Sequence, residues 1–229
     1  MPRDSSHAYA RGKIFEDKRL SVLFPFISIF IKWFETQKAQ LAWEVFKKNS
    51  IMGQDCRIGP NAWCVNSGRR EDIRLGNRVF CRGLLRCGTR GNGCIFIGDE
   101  VYIGDDTIIS AENYIEIGQL TMIAHGVHII DTRGHPLDPY LREQDWRIQM
   151  GDTHGTRPIV PSAPIRIGKR VWIGFNSAIF RGVAIGDNAI IAAGSVVVED
   201  VESNTMVAGN PACVVKKIDT EINNPSKCM

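Results

Sequence analysis

Isoleucine returns every six residues through the second half of this chain. Ile97, Ile103 and Ile109 open the series, and Ile117, Ile123 and Ile129 continue it. Ile167, Ile173 and Ile179 follow, then Ile185, Ile191 and Val197. A step of six fits neither the 3.6-residue turn of an α-helix nor the two-residue alternation of a flat strand. It is the mark of a parallel β-helix, in which three hexads make one triangular coil and the recurring residue points inward. Four residues after each beat stands Val, Thr, Ser or Ala in ten of the twelve cases, small enough for a crowded corner. Glycine directly follows the beat at Gly98, Gly104, Gly118, Gly168, Gly174 and Gly186, where it is expected to permit the tight backbone of a turn. Coils stack at about 4.8 Å, so residues one coil apart become side-by-side neighbours. Weaker copies, "RIGPNAWCV" and "RLGNRVFC", carry the pattern back to about residue 51.

The rest of the composition fits one soluble body with an appendage. The chain has 229 residues, 44% hydrophobic and 23% charged, ordinary values for a globular protein. The net charge of +3 sits unevenly: residues 1–50 carry nine Lys/Arg against five Asp/Glu. The repeat region therefore lacks the basic stripe of a nucleic-acid binder. Seven cysteines, without paired CxxC spacing, read as small core fillers in a reducing, cytoplasmic setting rather than as a disulfide or zinc framework. Cys64, Cys81 and Cys87 fall near the apolar beat.

Residues 20–34, "LSVLFPFISIFIKWF", are apolar but too short to span a bilayer and include Lys32, so no transmembrane helix is expected. No signal peptide is expected either. From about Pro25 the spacing reads helical, with Pro25 suited to a first turn. This helix either covers the open end of the β-helix or lies on the inner face of an anionic membrane. The layout is an N-terminal helical appendage over 1–50, a β-helix over 51–218 with a loop at 134–163, and a tail over 219–229.

Three segments carry a resemblance: "VWIGFNSAIFRGVAIGDNAIIAAGSVVVEDV", "VAGNPACVVKKI" and "GHPLDP". Over residues 51–218 the sequence resembles the hexapeptide-repeat acyltransferases, including sugar and antibiotic O-acetyltransferases. The resemblance implies an all-β, left-handed parallel β-helix. It implies acetyl transfer from acetyl-CoA to a hydroxyl, without a metal, by a homotrimer with active sites between the β-helices of neighbouring copies. The acceptor expected is a sugar, of a surface polysaccharide or its precursor. Alternatives are a small free sugar or antibiotic, a non-catalytic scaffold, and a metal-dependent hydratase.

The repeat fails where the loop leaves. The small-residue position is lost at Asn113 and Arg133, which stacking places at one corner. Polar groups there must be paired or wetted, so the pair marks either a substrate site or the anchor of the loop. His135 follows; the resemblance makes it the catalytic base. An imidazole can take a hydroxyl proton at neutral pH, and its second nitrogen then needs an acceptor. Asp131, Glu112 and a backbone carbonyl are the candidates, and Asp131 is also a candidate substrate contact. Glu112 matches an acidic residue that holds the acceptor sugar in the family. Trp146 in the loop suits stacking on a sugar face or packing against another subunit. His154 is a further loop candidate. His125 and His128, with His154, raise a metal site, but the wide-then-close spacing of a β-helix hydratase is absent.

For the coenzyme, the resemblance assigns Trp172 and Gly174, in "WIG", and Ala193 to the cleft of the pantetheine arm. It assigns Lys216 to the phosphates. Glu199 and Cys213 stand where relatives carry Lys and Arg, which leaves phosphate contacts to Lys216, Lys217 or another subunit. Arg181 replaces a common proline and is expected to face the site.

Overall fold

The computed structural model describes residues 18–88, 93–152 and 155–219. Among these, three sheets form the faces of a three-sided coil, in six, eight and six strands. Chain order runs first, second, third face and then onward to the next coil. The six-residue beat builds the interior. Ile97, Ile117, Ile167 and Ile185 are successive partners on the first face. Ile103, Ile123, Ile173 and Ile191 are partners on the second. Ile109, Ile129, Ile179 and Val197 are partners on the third. All twelve are at most 4% exposed. In earlier coils Cys81 stands in register with Ile103, and Cys64 with Leu85. Burial pushes the thiols of Cys64, Cys81 and Cys87 up to about 12, so they pack as neutral apolar filler.

The glycines after the beat have a different reason from the one the sequence suggested. None of them has a left-handed backbone; those corner positions fall to residues such as Asp106, Asn176 and Asn188. What they provide is clearance between coils. A Cβ on Gly98 would lie 2.7 Å from Gln119 N, and one on Gly174 would lie 2.5 Å from Ala193 N. The next coil crosses directly over them, and any side chain would push the stack apart.

Helix α1 runs Lys18–Asn49. It begins earlier than expected, so Pro25 lies inside it rather than in a first turn. A proline there removes one N–H donor, yet the helix continues past it, and Ser28 Oγ donates to Pro25 O at 2.8 Å. The chain divides into compact units between Gln37 and Lys38. In the first unit, Phe26, Ile29, Phe30 and Trp33 are 56–68% exposed. No described helix is long and apolar enough to cross a membrane. In the second unit, the last turns of α1 close over the first coil. Ala42 and Phe46 are buried, and Phe46 joins the core. Asn49 Nδ2 donates to Cys64 O at 3.0 Å.

Among the described residues, the longest connection outside the coil lies between the third face and the first. It leaves after the strand His128–Ile130 and returns before Ile165–Ile167. It contains a second helix, α2, Pro139–Gln149, within the segment 134–163 that the sequence marks only as a long loop. Beyond Val196–Val197, the strands Thr205–Gly209 and Ala212–Lys217 form an antiparallel pair at the end of the second face.

The clearance argument sets a test far from the loop. Gly98→Ala should cost about 1–3 kcal/mol as an overpacked contact and lower the thermal midpoint. An unchanged midpoint would contradict the close-crossing explanation.

Candidate active site

The corner between the third and first faces is where the repeat runs short of small residues. Ser110 is in register with Ile130, so Glu112 and Thr132 follow at the same corner, one coil apart. Asn113 and Arg133 are both exposed. Their place in the corner is taken by the Asp131 carboxylate, which is fully buried. It accepts N–H bonds from Glu112 at 2.8 Å, Asn113 at 2.7 Å and Tyr114 at 2.9 Å. Burial raises its pKa above the usual carboxylate value, and the three N–H donors pull against that rise. Asp131 is therefore a staple between coils. The expectation that it meets substrate, or accepts from His135, is corrected: it has no open surface and its oxygens are occupied.

The root of the loop is tied at the same corner. Thr132 and Ser162 form an antiparallel bridge. Ala163 N donates to Asp131 O at 2.9 Å, and Arg133 N donates to Pro161 O at 3.2 Å. Asn113 Nδ2 reaches Ser162 Oγ at 3.5 Å, which places Asn113 at the anchor.

Helix α2 then folds back over His135. Asp138 caps it, accepting from Tyr140 N and Leu141 N at 2.9 Å each, and Pro139 takes the first-turn place that needs no donor. Two turns on, Asp145 is fully buried. Its Oδ2 lies 2.8 Å from His135 Nδ1, and its Oδ1 accepts from Arg157 Nε at 3.0 Å. An arginine-paired carboxylate is ionised and only accepts, so the imidazole proton resides on Nδ1. Nε2 is then the lone-pair nitrogen, on a side chain that is 50% exposed. Ile148 and Gln149 lie three and four residues after Asp145, on the same helix face. With Arg86, Ser110, Glu112, Thr132, His135 and Arg157, they line a cleft of about 530 Å³.

The other acceptor-side candidates disperse. Glu112 lines this cleft and a smaller hollow beside Pro158 and Ile159. Arg133 opens instead onto an adjoining apolar hollow with His128 and Phe180, which shares Ile130, Thr132 and Gly134 with the His135 cleft. Trp146 is exposed and does not line the His135 cleft. His154 lies outside the described residues. His125 stacks on Phe175, ring centroids 5.3 Å apart. Among the described residues no three His, Cys, Asp or Glu stand together as a metal-holding group.

The coenzyme-side candidates gather at a different corner, between the second and third faces. Trp172, Gly174, Phe175, Ala192, Ala193 and Met206 line an apolar cleft of about 320 Å³. Lys216 is the strand partner of Met206. Lys217 is corrected as a free phosphate contact: its ammonium is held by Glu202 and by Thr205 Oγ1. Arg181 follows the strand Ala178–Phe180 at the corner between the third and first faces and lines neither cleft. Sequence reasoning missed Asp145 and Arg157 as the supports of His135. The signal available was "DP" at 138–139, a capping residue followed by a first-turn proline. A helix starting there carries Asp145 back toward the coil.

Comparison with known proteins fits this geometry. The family pattern described as the hexapeptide repeat of succinyl-transferase matches residues 164–199. The Escherichia coli K12 protein WbbJ, provisionally named a lipopolysaccharide biosynthesis O-acetyl transferase, is 34% identical over 137 residues, 60% of this chain and 67% of its own length. The chain belongs to the hexapeptide-repeat acyltransferases. The galactoside O-acetyltransferase of Escherichia coli K12 is 36% identical over 125 residues, 55% of each chain. The crystal structure of a maltose O-acetyltransferase from Clostridium difficile 630 superposes with a TM-score of 0.51 at 26% identity, covering 89% of this chain and 90% of that one. The coil is thus the left-handed β-helix of that family. The chain spans between about a third and two thirds of the length of the curated relatives it matches.

The histidine support yields a direct test within this acyltransferase family fold. Asp145→Asn should lower turnover by roughly 10²–10³-fold, because an amide no longer enforces the Nδ1–H tautomer. Folding should survive, since Arg157 keeps Gln149 as a partner at 3.2 Å. Near-normal turnover would remove Asp145 from the account.

Proposed function

We propose that this chain is an acetyl-CoA-dependent O-acetyltransferase that modifies a sugar hydroxyl of a surface polysaccharide or its precursor. The observation that carries the reading is His135, with its Nε2 free, its Nδ1 held by the buried Asp145–Arg157 pair, and a polar cleft in front of it. The O-acetyl transferase and galactoside names of its relatives support a sugar acceptor.

The apolar cleft at Trp172 and Ala193 fits a pantetheine arm, with Lys216 beside it for phosphate. Acetyl-CoA, when bound, supplies a thioester carbonyl carbon that accepts the sugar oxygen and a sulfur that leaves. His135 Nε2 takes the hydroxyl proton as the C–O bond forms. The imidazolium is stabilised by Asp145, whose negative charge is fixed by Arg157. The same Nε2–H then protonates the departing sulfur as the C–S bond breaks, which returns His135 to its starting state. Helix α2 covers this exchange and limits access of water.

Assembly as a homotrimer is supported by where the two halves lie. The coenzyme cleft is at the corner between the second and third faces; His135 is at the corner between the third and first. An arm lying in the first corner is separated from His135 of the same chain by a whole face, about 20 Å for six residues at 3.3 Å per residue. Pairing the His135 corner of one copy with the Trp172 corner of another brings them together.

This arrangement is tested by complementation. His135→Ala alone should lower turnover by about 10²–10⁴-fold, and Ala193→Trp alone should block the arm. Co-assembled from a mixture, the two inactive variants should regain activity, because an intact His135 can face an intact cleft. No recovery in mixed oligomers would place both halves of the site in one chain.

A further inference from the structure

The cleft beside His135 contains a charge that this mechanism does not use. Arg86 lies on the third face, one residue after the buried Leu85, so its side chain points outward. It is in register with Ser110, which is in register with Ile130. That outward column leads up to the root of the loop, and Arg86, Ser110 and His135 line the same cleft.

The guanidinium is oriented but not neutralised. Its Nε donates to Ser110 Oγ at 3.1 Å, which is its one hydrogen bond among the described residues. Three other arginines have carboxylate partners, Arg157 with Asp145, Arg147 with Glu143 and Arg82 with Asp105, while Arg142 donates to the carbonyls of Pro136 and Leu137. Glu112, on the same cleft, is already partnered. A partly buried cation without a counter-charge costs stability. Anchoring through Nε leaves the terminal nitrogens available, the edge that binds carboxylate or phosphate oxygens in pairs.

We propose that Arg86 selects an anionic acceptor, a sugar that carries a carboxylate or phosphate group close to the hydroxyl being acetylated. A cleft of about 530 Å³ is on the order of 10 Å across, within the range of small-molecule sites. The charge therefore sits on the acetylated ring or on its immediate neighbour. The coenzyme's own phosphates do not fill this role. They belong with Lys216 at the other corner, and the length of the pantetheine arm separates them from the reacting carbonyl. The inference rests on the acetyl-transfer reading and specifies its acceptor.

The test uses the full-length protein and three acceptor probes: methyl glucoside, methyl glucuronide and glucose 1-phosphate. Acetyl transfer from acetyl-CoA is measured for the wild type, Arg86→Gln and Arg86→Lys. The binding of each probe is measured by calorimetry on the same proteins and on His135→Ala. The wild type should prefer at least one anionic probe to the neutral one by tenfold or more, in KM or in Kd. The preferred anion tells carboxylate from phosphate. Arg86→Gln should abolish the preference and Arg86→Lys should retain part of it, a graded order that simple loss of packing would not produce. His135→Ala should lose transfer yet keep the preference in binding. Equal affinity of the wild type for charged and neutral probes, or an unchanged ratio in Arg86→Gln, overturns the proposal. If no probe is acetylated while the charge preference in binding follows Arg86, the acetyl-transfer reading fails and the anion site stands.

Discussion

Everything in this protein depends on how closely one coil lies on the next. Parallel strands stack the Ile columns, and backbone passes over backbone at the glycine after each beat. At Gly174 the next coil comes so near that a methyl group would fall 2.5 Å from Ala193 N. With such spacing the buried columns pack as one apolar cluster that includes Leu75 and Val207. Chemistry is therefore confined to the outside, at corners and in whatever the chain adds there. The loop is that addition. It leaves at the one corner where the filler is neither Val, Thr, Ser nor Ala, and Asp131 takes over by binding three backbone N–H groups of the preceding coil.

That substitution links stability to function through a few atoms. Asp131 fixes the corner, the Thr132–Ser162 bridge fixes both ends of the loop, and α2 is thereby held against the coil. Only with α2 in place does Asp145 reach His135. A buried carboxylate is costly in isolation, and here it is held between a guanidinium and an imidazole that together take up both oxygens. The price of burial is met by orientation: the histidine ring has one permitted tautomer, and its reactive nitrogen faces the cleft.

The legible part of the sequence was the part governed by period. The six-residue step placed the twelve stacked Ile and Val residues and the buried small residues from Val101 to Val201, and it located the two exceptions at Asn113 and Arg133; the buried Ile95, Ile115 and Ile165, two residues before a beat, lay outside it. The resemblance pointed to His135 and to the Trp172 and Ala193 cleft. What stayed hidden lay outside the period. Asp145 is ten residues from His135, and nothing in their spacing alone joins them; the contact exists because a capped helix folds back. Asp131 was read as a site residue because it is polar and near His135, whereas its carboxylate turns inward at a corner. Lys217 was read as a phosphate contact, and the terminal antiparallel strand gives it to Glu202 instead. The glycines were found correctly but explained by turns, while their reason is the coil above them.

The central claim is that Asp145, delivered by the inserted helix, holds His135 with its proton on Nδ1 and leaves Nε2 as the base. Side-chain ¹⁵N NMR of histidine-labelled protein reads this directly, with His135 assigned by its loss in His135→Ala. The account requires a protonated Nδ1 and an unprotonated Nε2 for His135 in its neutral form, and a mixture of tautomers in Asp145→Ala. A neutral His135 with its proton on Nε2, or a tautomer indifferent to Asp145, would contradict it.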